Sequence, residues 1–140
     1  MNNPDSPLVP MGKLQIVNDR VTIQPGAESE LSFPVPAGAK AEWRESTYHL
    51  DPISVKINVK GIELRRFGTS EKIQLIAQGD PNIIELFGNG MLPRIMPVIE
   101  TIEQNEDLKI KVKNNDTVAV NVSITMFVRM ADTARNIAGQ

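Results

Sequence analysis

The 140-residue chain has no cysteine. Disulfide staples, thiolate metal sites and cysteine nucleophiles are therefore excluded. It has one histidine, His49, so no site that needs two imidazoles can form within one chain. Cupin-type enzymology, which relies on clustered metal-binding His, is set aside on that count. Aromatic residues make up only 4%, few for a sugar binder that displays several rings. No apolar run approaches the roughly 20 residues of a membrane span. The start, MNNPDSPLVP, has neither a basic n-region nor an apolar h-region, so no Sec-type signal is expected. Charge of one sign is also missing: 15 Lys and Arg face 17 Asp and Glu. That balance argues against a dedicated nucleic-acid binder. Neither G-x-G-x-x-G nor G-x-x-x-x-G-K-[ST] occurs, so no phosphate cradle is encoded.

What is present points to sheet. The chain holds 15 Ile, 12 Val and 7 Thr against 9 Leu and 9 Ala. Branched Cβ atoms suit a pleated surface and lose rotamer freedom in a helix. Ten Pro and nine Gly punctuate the chain, as many short strands require. Leu108, Ile110 and Val112 alternate with three lysines, and Val118, Val120, Val122, Ile124, Met126, Val128 and Met130 continue the period after Asn114, Asn115 and Asp116. This reads as a C-terminal hairpin with one buried face. Phe127 interrupts its polar face. Ile53, Val55, Ile57 and Val59 form a second alternating run, and Gly61 marks a bulge or corner after it. Further strands are expected over 13–17, 20–24, 30–35, 71–77, 82–87 and 97–103, with Asn18 and Asp19 turning the first hairpin. Residues 37–46 could make a short turn or helix. The expectation is an all-β fold: an antiparallel β-sandwich, with the jelly roll as candidate topology. Residues 1–12 read as an extended arm, 13–130 as the sandwich and 131–140 as a tail.

Four groups of residues bear on function. Trp43, Tyr48 and His49 fall within seven residues. They could form a ligand-binding or contact loop, or anchor a lid over one end of the sandwich. His49 as a general base would need a nucleophile and an orienting acid, and no G-x-S-x-G elbow presents a serine. Glu100, Glu103, Glu106 and Asp107 make an acidic rim with no EF-hand pattern, and Glu106 and Asp107 read as part of a turn. Met91, Leu92, Ile95 and Met96 lie in an apolar segment broken by Pro93 and Pro97, expected to be an irregular loop or an edge. It would cover the sandwich end or form an oligomer interface. Pro4, Pro7 and Pro10 recur every third residue, compatible with polyproline II, and Leu8, Val9 and Met11 would give the arm something to bury on a neighbouring subunit. No catalytic, cofactor or metal residue is assigned.

The stretch Leu92-Pro93 … Pro97 … Glu103-Gln104-Asn105-Glu106-Asp107-Leu108-Lys109-Ile110-Lys111-Val112-Lys113-Asn114 … Val118-Ala119-Val120-Asn121-Val122-Ser123-Ile124 resembles small virion structural proteins of tailed bacteriophages. Head decoration (cement) proteins are nearest in size and style. The resemblance covers roughly residues 88–130. It implies a β-rich protein on the capsid exterior, made in the host cytoplasm, often trimeric, that clamps neighbouring copies of the major capsid protein. The expected function is thus non-enzymatic and structural, without cofactor, nucleic acid or membrane. The competing expectation is a carbohydrate-binding or adhesin-like module built on Trp43, Tyr48 and His49.

Overall fold

The computed structural model describes residues 13–36, 38–66, 72–88, 94–102 and 106–132. Among the described residues eight strands run in chain order: β1 (Lys13–Ile23), β2 (Glu28–Pro34), β3 (Ala39–Asp51), β4 (Ile57–Arg66), β5 (Lys72–Gln74), β6 (Arg94–Ile102), β7 (Glu106–Asn114) and β8 (Val120–Asp132). One helical turn, α1 (Ile83–Leu86), sits between β5 and β6. The sheets have orders β1-β8-β3-β6 and β2-β7-β4-β5, and every pairing is antiparallel. An antiparallel ribbon with pairs β1·β8, β2·β7, β3·β6 and β4·β5, rolled into two sheets, produces these orders. The protein is an all-β sandwich with jelly-roll strand order.

The core is what the alternation leaves between the sheets. Leu108, Ile110 and Val112 from β7 face Val122, Ile124 and Met126 from β8, all fully buried. Each such side chain contributes about 1.5–3 kcal/mol relative to exposure. Two bulges reset the inward face. In β4 the register shifts between Val59 and Gly61, so Ile57 and Val59 point inward before the bulge and Ile62 and Leu64 after it. In β3 it shifts between Trp43 and Glu45, so Ala41 and Trp43 are buried before it, Ser46 and Leu50 after it. That second slip hides the period of β3, and residues 39–46 are strand where a short helix was conceivable.

Several sequence expectations change. Asn18 and Asp19 do not turn a hairpin; β1 runs straight through them. Their side chains are occupied sideways. Asn18 Nδ2 donates to Ser123 Oγ at 2.8 Å and Thr125 Oγ1 at 2.9 Å, and Asp19 Oδ2 accepts from the Ser32 N–H at 2.9 Å. The final two strands are not a hairpin either. β7 and β8 lie in different sheets, and residues 115–119 cross from one to the other. Of the two readings for Gly61, the bulge holds: it lies inside one continuous strand. The strand expected over 82–87 is α1, held by a capping box in which Ile84 N–H donates to the Asn82 side chain and Asn82 N–H to Glu85. Glu106 opens β7 and is buried, where a turn and a solvated rim were expected.

Candidate functional site

Trp43, Tyr48 and His49 all lie in strand β3, not in a loop. Trp43 is 3% exposed and stacks on Phe87, ring centroids 6.1 Å apart. Tyr48 is half-buried and packed against the core, while His49 is exposed and pairs with Ser123 in the ladder. The three rings therefore do not assemble into a platform. Burial of Trp43 leaves its face to Phe87 and not to a sugar. Among the described residues, no group of three or more His, Asp or Glu could hold a metal ion, and no helix is long and apolar enough to cross a membrane.

Leu8, Val9, Met11, Met91 and Leu92 lie outside the described residues. Ile95 and Met96 lie on β6, the outermost strand of its sheet. An edge was one of the two expected places for this segment, and an edge strand is where Pro97 is tolerated. The alternating Lys109, Lys111 and Lys113 pair across the ladder with Ser32, Glu30 and Glu28 of β2. Lys109 also contacts Ser32 Oγ at 3.1 Å and Asp107 at 3.8 Å. The lysine row thus has acidic neighbours on its own sheet.

Two apolar features remain, one at each end of the sandwich. The first was missed in the sequence. Ile53 is 89% exposed and Val55 68%, and Ile84 and Val118 are about half exposed beside them in the same rim of loops. Those loops are tied together. Ser54 Oγ donates to Asp116 at 2.7 Å, Asn82 Nδ2 donates to the Val55 carbonyl at 2.7 Å, and Asn115 N–H donates to the Lys56 carbonyl at 2.9 Å. Ile53 and Val55 share sequence parity with Ile57 and Val59 yet do not follow them inward. Pro52 has no N–H for the ladder, and buried Ser54 accepts the Lys56 N–H at 3.0 Å. Pro52 was the one sequence signal that could have separated this loop from β4.

The second feature is a partly open hollow of about 130 Å³ between the sheets at the opposite end. Phe33 and Val35 form one wall, and Ala41, Met126, Val128 and Met130 the other. Its cause is legible in the β1 register. From β1 the hollow is lined by Val17 and Asn18, and beyond them Lys13 and Gln15, which pair with Met130 and Val128, are exposed and leave the mouth open. On the outer face of the same end, Leu14 and Ile16 are more than 60% exposed, and Ile16 pairs with half-buried Phe127.

No protein-family model and no curated protein matches the chain. Among solved structures it is similar to a de novo designed double-stranded β-helix, at 18% identity and TM-score 0.26, over 82% of this chain and 99% of that one.

Proposed function

We propose that the protein is a non-enzymatic structural protein that binds a protein lattice, as a decoration (cement) protein on the outside of a bacteriophage capsid. The rim of Ile53, Val55, Ile84 and Val118 carries the reading. These side chains are exposed on loops and on α1, which hydrogen bonds hold in place, and they do not serve the core of their own chain. Exposed apolar clusters of this kind bind other proteins. The resemblance of residues 88–130 to small virion proteins supplies the kind of partner, the major capsid protein. On a repeating lattice each contact can be modest, because avidity multiplies it. A homo-oligomer, with a trimer favoured, would present several rims at once.

The test is cosedimentation with heads assembled from the major capsid protein of the same virus. The full chain pellets with the heads, and the Ile53→Asp, Val55→Asp double variant stays in the supernatant while remaining folded by circular dichroism. Equal pelleting of the two would remove the rim from the mechanism. Binding to a glycan array with no binding to heads would replace this reading with the carbohydrate one.

A further inference from the structure

We infer that the outer face of the sheet holding β1, β8 and β3 carries a binding site for a single oxyanion, the phosphate or carboxylate group of a small molecule, centred on Ser123 between Arg20 and His49. It does not depend on the lattice reading. One row of the ladder sets the three side by side: Arg20 pairs with Ser123, and Ser123 pairs with His49. Val122 and Ile124 are fully buried, so Ser123 between them points outward. Neighbouring strands stand about 4.8 Å apart, which leaves about 10 Å between the backbones of Arg20 and His49 with only a short hydroxyl side chain in the gap. Arg20 and His49 are exposed, and among the described residues neither side chain has a hydrogen bond or an ion pair. A guanidinium and an imidazole both offer N–H donors.

The floor of the gap is polarised in the same sense. Asn18 Nδ2 donates to Ser123 Oγ at 2.8 Å, to Thr125 Oγ1 at 2.9 Å and to the Ile124 carbonyl at 3.2 Å. A carbonyl oxygen only accepts, so the Ile124 contact fixes which end of the Asn18 amide faces β8. Both hydroxyl oxygens therefore accept from Asn18, and each keeps its own hydrogen to donate outward. Donors from β1, β8 and β3 thus share one gap. That is the complement of an oxyanion, whose oxygens only accept. A neutral sugar hydroxyl would ask for acceptors as well. Asp51, the one carboxylate in the adjoining rows, pairs with Asn121 in the ladder, and among the described residues it makes no ion pair with Arg20 or His49.

The experiment is an NMR titration of the full chain with sodium phosphate and, separately, with sodium acetate, at an ionic strength held constant by sodium chloride. Saturable shifts are expected at the Ser123 and Thr125 amides and at the His49 imidazole, with a dissociation constant on the order of millimolar. Tighter binding of phosphate assigns the site to a tetrahedral group, and tighter binding of acetate to a planar one. Arg20→Gln removes the fixed charge and should weaken binding about tenfold. Ser123→Ala should weaken it about threefold, and Ser123→Thr, which restores a hydroxyl, should recover it. Shifts no larger than those with chloride alone overturn the inference. So does an Arg20→Gln chain that binds like the natural one, or an equal loss in the two Ser123 variants.

Discussion

Trp43 lies over Phe87 with ring planes inclined by 22°, and its buried indole N–H has no hydrogen-bond acceptor among the described residues. The two facts act in opposite directions. A stacked pair adds about 0.5–1.5 kcal/mol beyond its buried area, while an unsatisfied buried donor costs about 1–3 kcal/mol. Replacing Trp43 by Phe keeps a ring against Phe87 and removes the donor. Its unfolding free energy should stay within about 1.5 kcal/mol of the natural chain. Trp43→Ala removes the ring as well and should cost about 3–5 kcal/mol. Urea unfolding followed by circular dichroism separates the two. Equal losses would mean that the indole N–H is satisfied and its removal brings no relief.

Asn114 is a fully buried polar side chain. Its Nδ2 donates to the carbonyls of Ile23 at 2.9 Å and Val118 at 2.8 Å, and its Oδ1 accepts from Asp116 N–H at 2.8 Å. These bonds fasten the end of β1 to the crossing that takes the chain from β7 to β8. Asn114→Ala strands those groups in the interior and should lower stability by about 2–4 kcal/mol. Amide exchange should rise at Asp116, whose N–H loses its acceptor. Slow exchange there in the variant would show that another group has taken over.

The bulge in β4 has a comparable support. Ile62 N–H donates to Gln74 Oε1 at 2.9 Å, and a Cβ on Gly61 would stand 3.3 Å from that same oxygen. Glycine here gives the Gln74 amide room to reach the Ile62 N–H. Gln74→Ala should cost about 1–2 kcal/mol, although Gln74 itself is exposed and a surface substitution usually stays within about 0.5 kcal/mol. Thermal unfolding checks it, and a change inside the surface range would sink the argument.

These cases show which features the residues announce. The period of Leu108 to Val112 and of Val120 to Val128 fixes what faces the core, because alternation is a property of one strand. It is silent on partners, so two adjacent strands read as a hairpin although they lie in different sheets. Asn18 and Asp19 look like a turn because their side chains can bond the local backbone. Here they bond Ser123, Thr125 and Ser32, contacts about 105 or 13 residues away in the chain. The rim failed for a related reason. Ile53 and Val55 keep the parity of a buried face, but Pro52 and the Ser54 hydroxyl set them outside the ladder. The hollow was illegible because its walls, Phe33 of β2 and Met126 of β8 among them, belong to different sheets, and a gap appears only when both sheets are present.

The Ser54–Asp116 bond joins two loops of the rim, and it makes rim order depend on pH. The Ser54 hydroxyl first, then the Thr117 N–H and the charge of Lys56, hold the Asp116 carboxyl below its usual range. A carboxylate with a lowered folded value stabilises the fold above its ordinary pKa of about 3.9. That contribution falls as the pH drops through the lowered folded value, and it is gone once the carboxyl is protonated in both states. Above pH 5 the rim should therefore be insensitive to acid. Ser54→Ala removes the largest of these causes, so the Asp116 titration should move up toward the ordinary value while Thr117 and Lys56 still hold it partly down. Carbon-detected NMR titration of the Asp116 carboxyl reads the shift directly. On the proposed lattice reading, binding of the variant to heads at neutral pH should weaken, because Ile53 and Val55 lose the tether between them. An unmoved titration in Ser54→Ala would mean that the hydroxyl does not bond Asp116 in solution, and the rim would then need another source of rigidity.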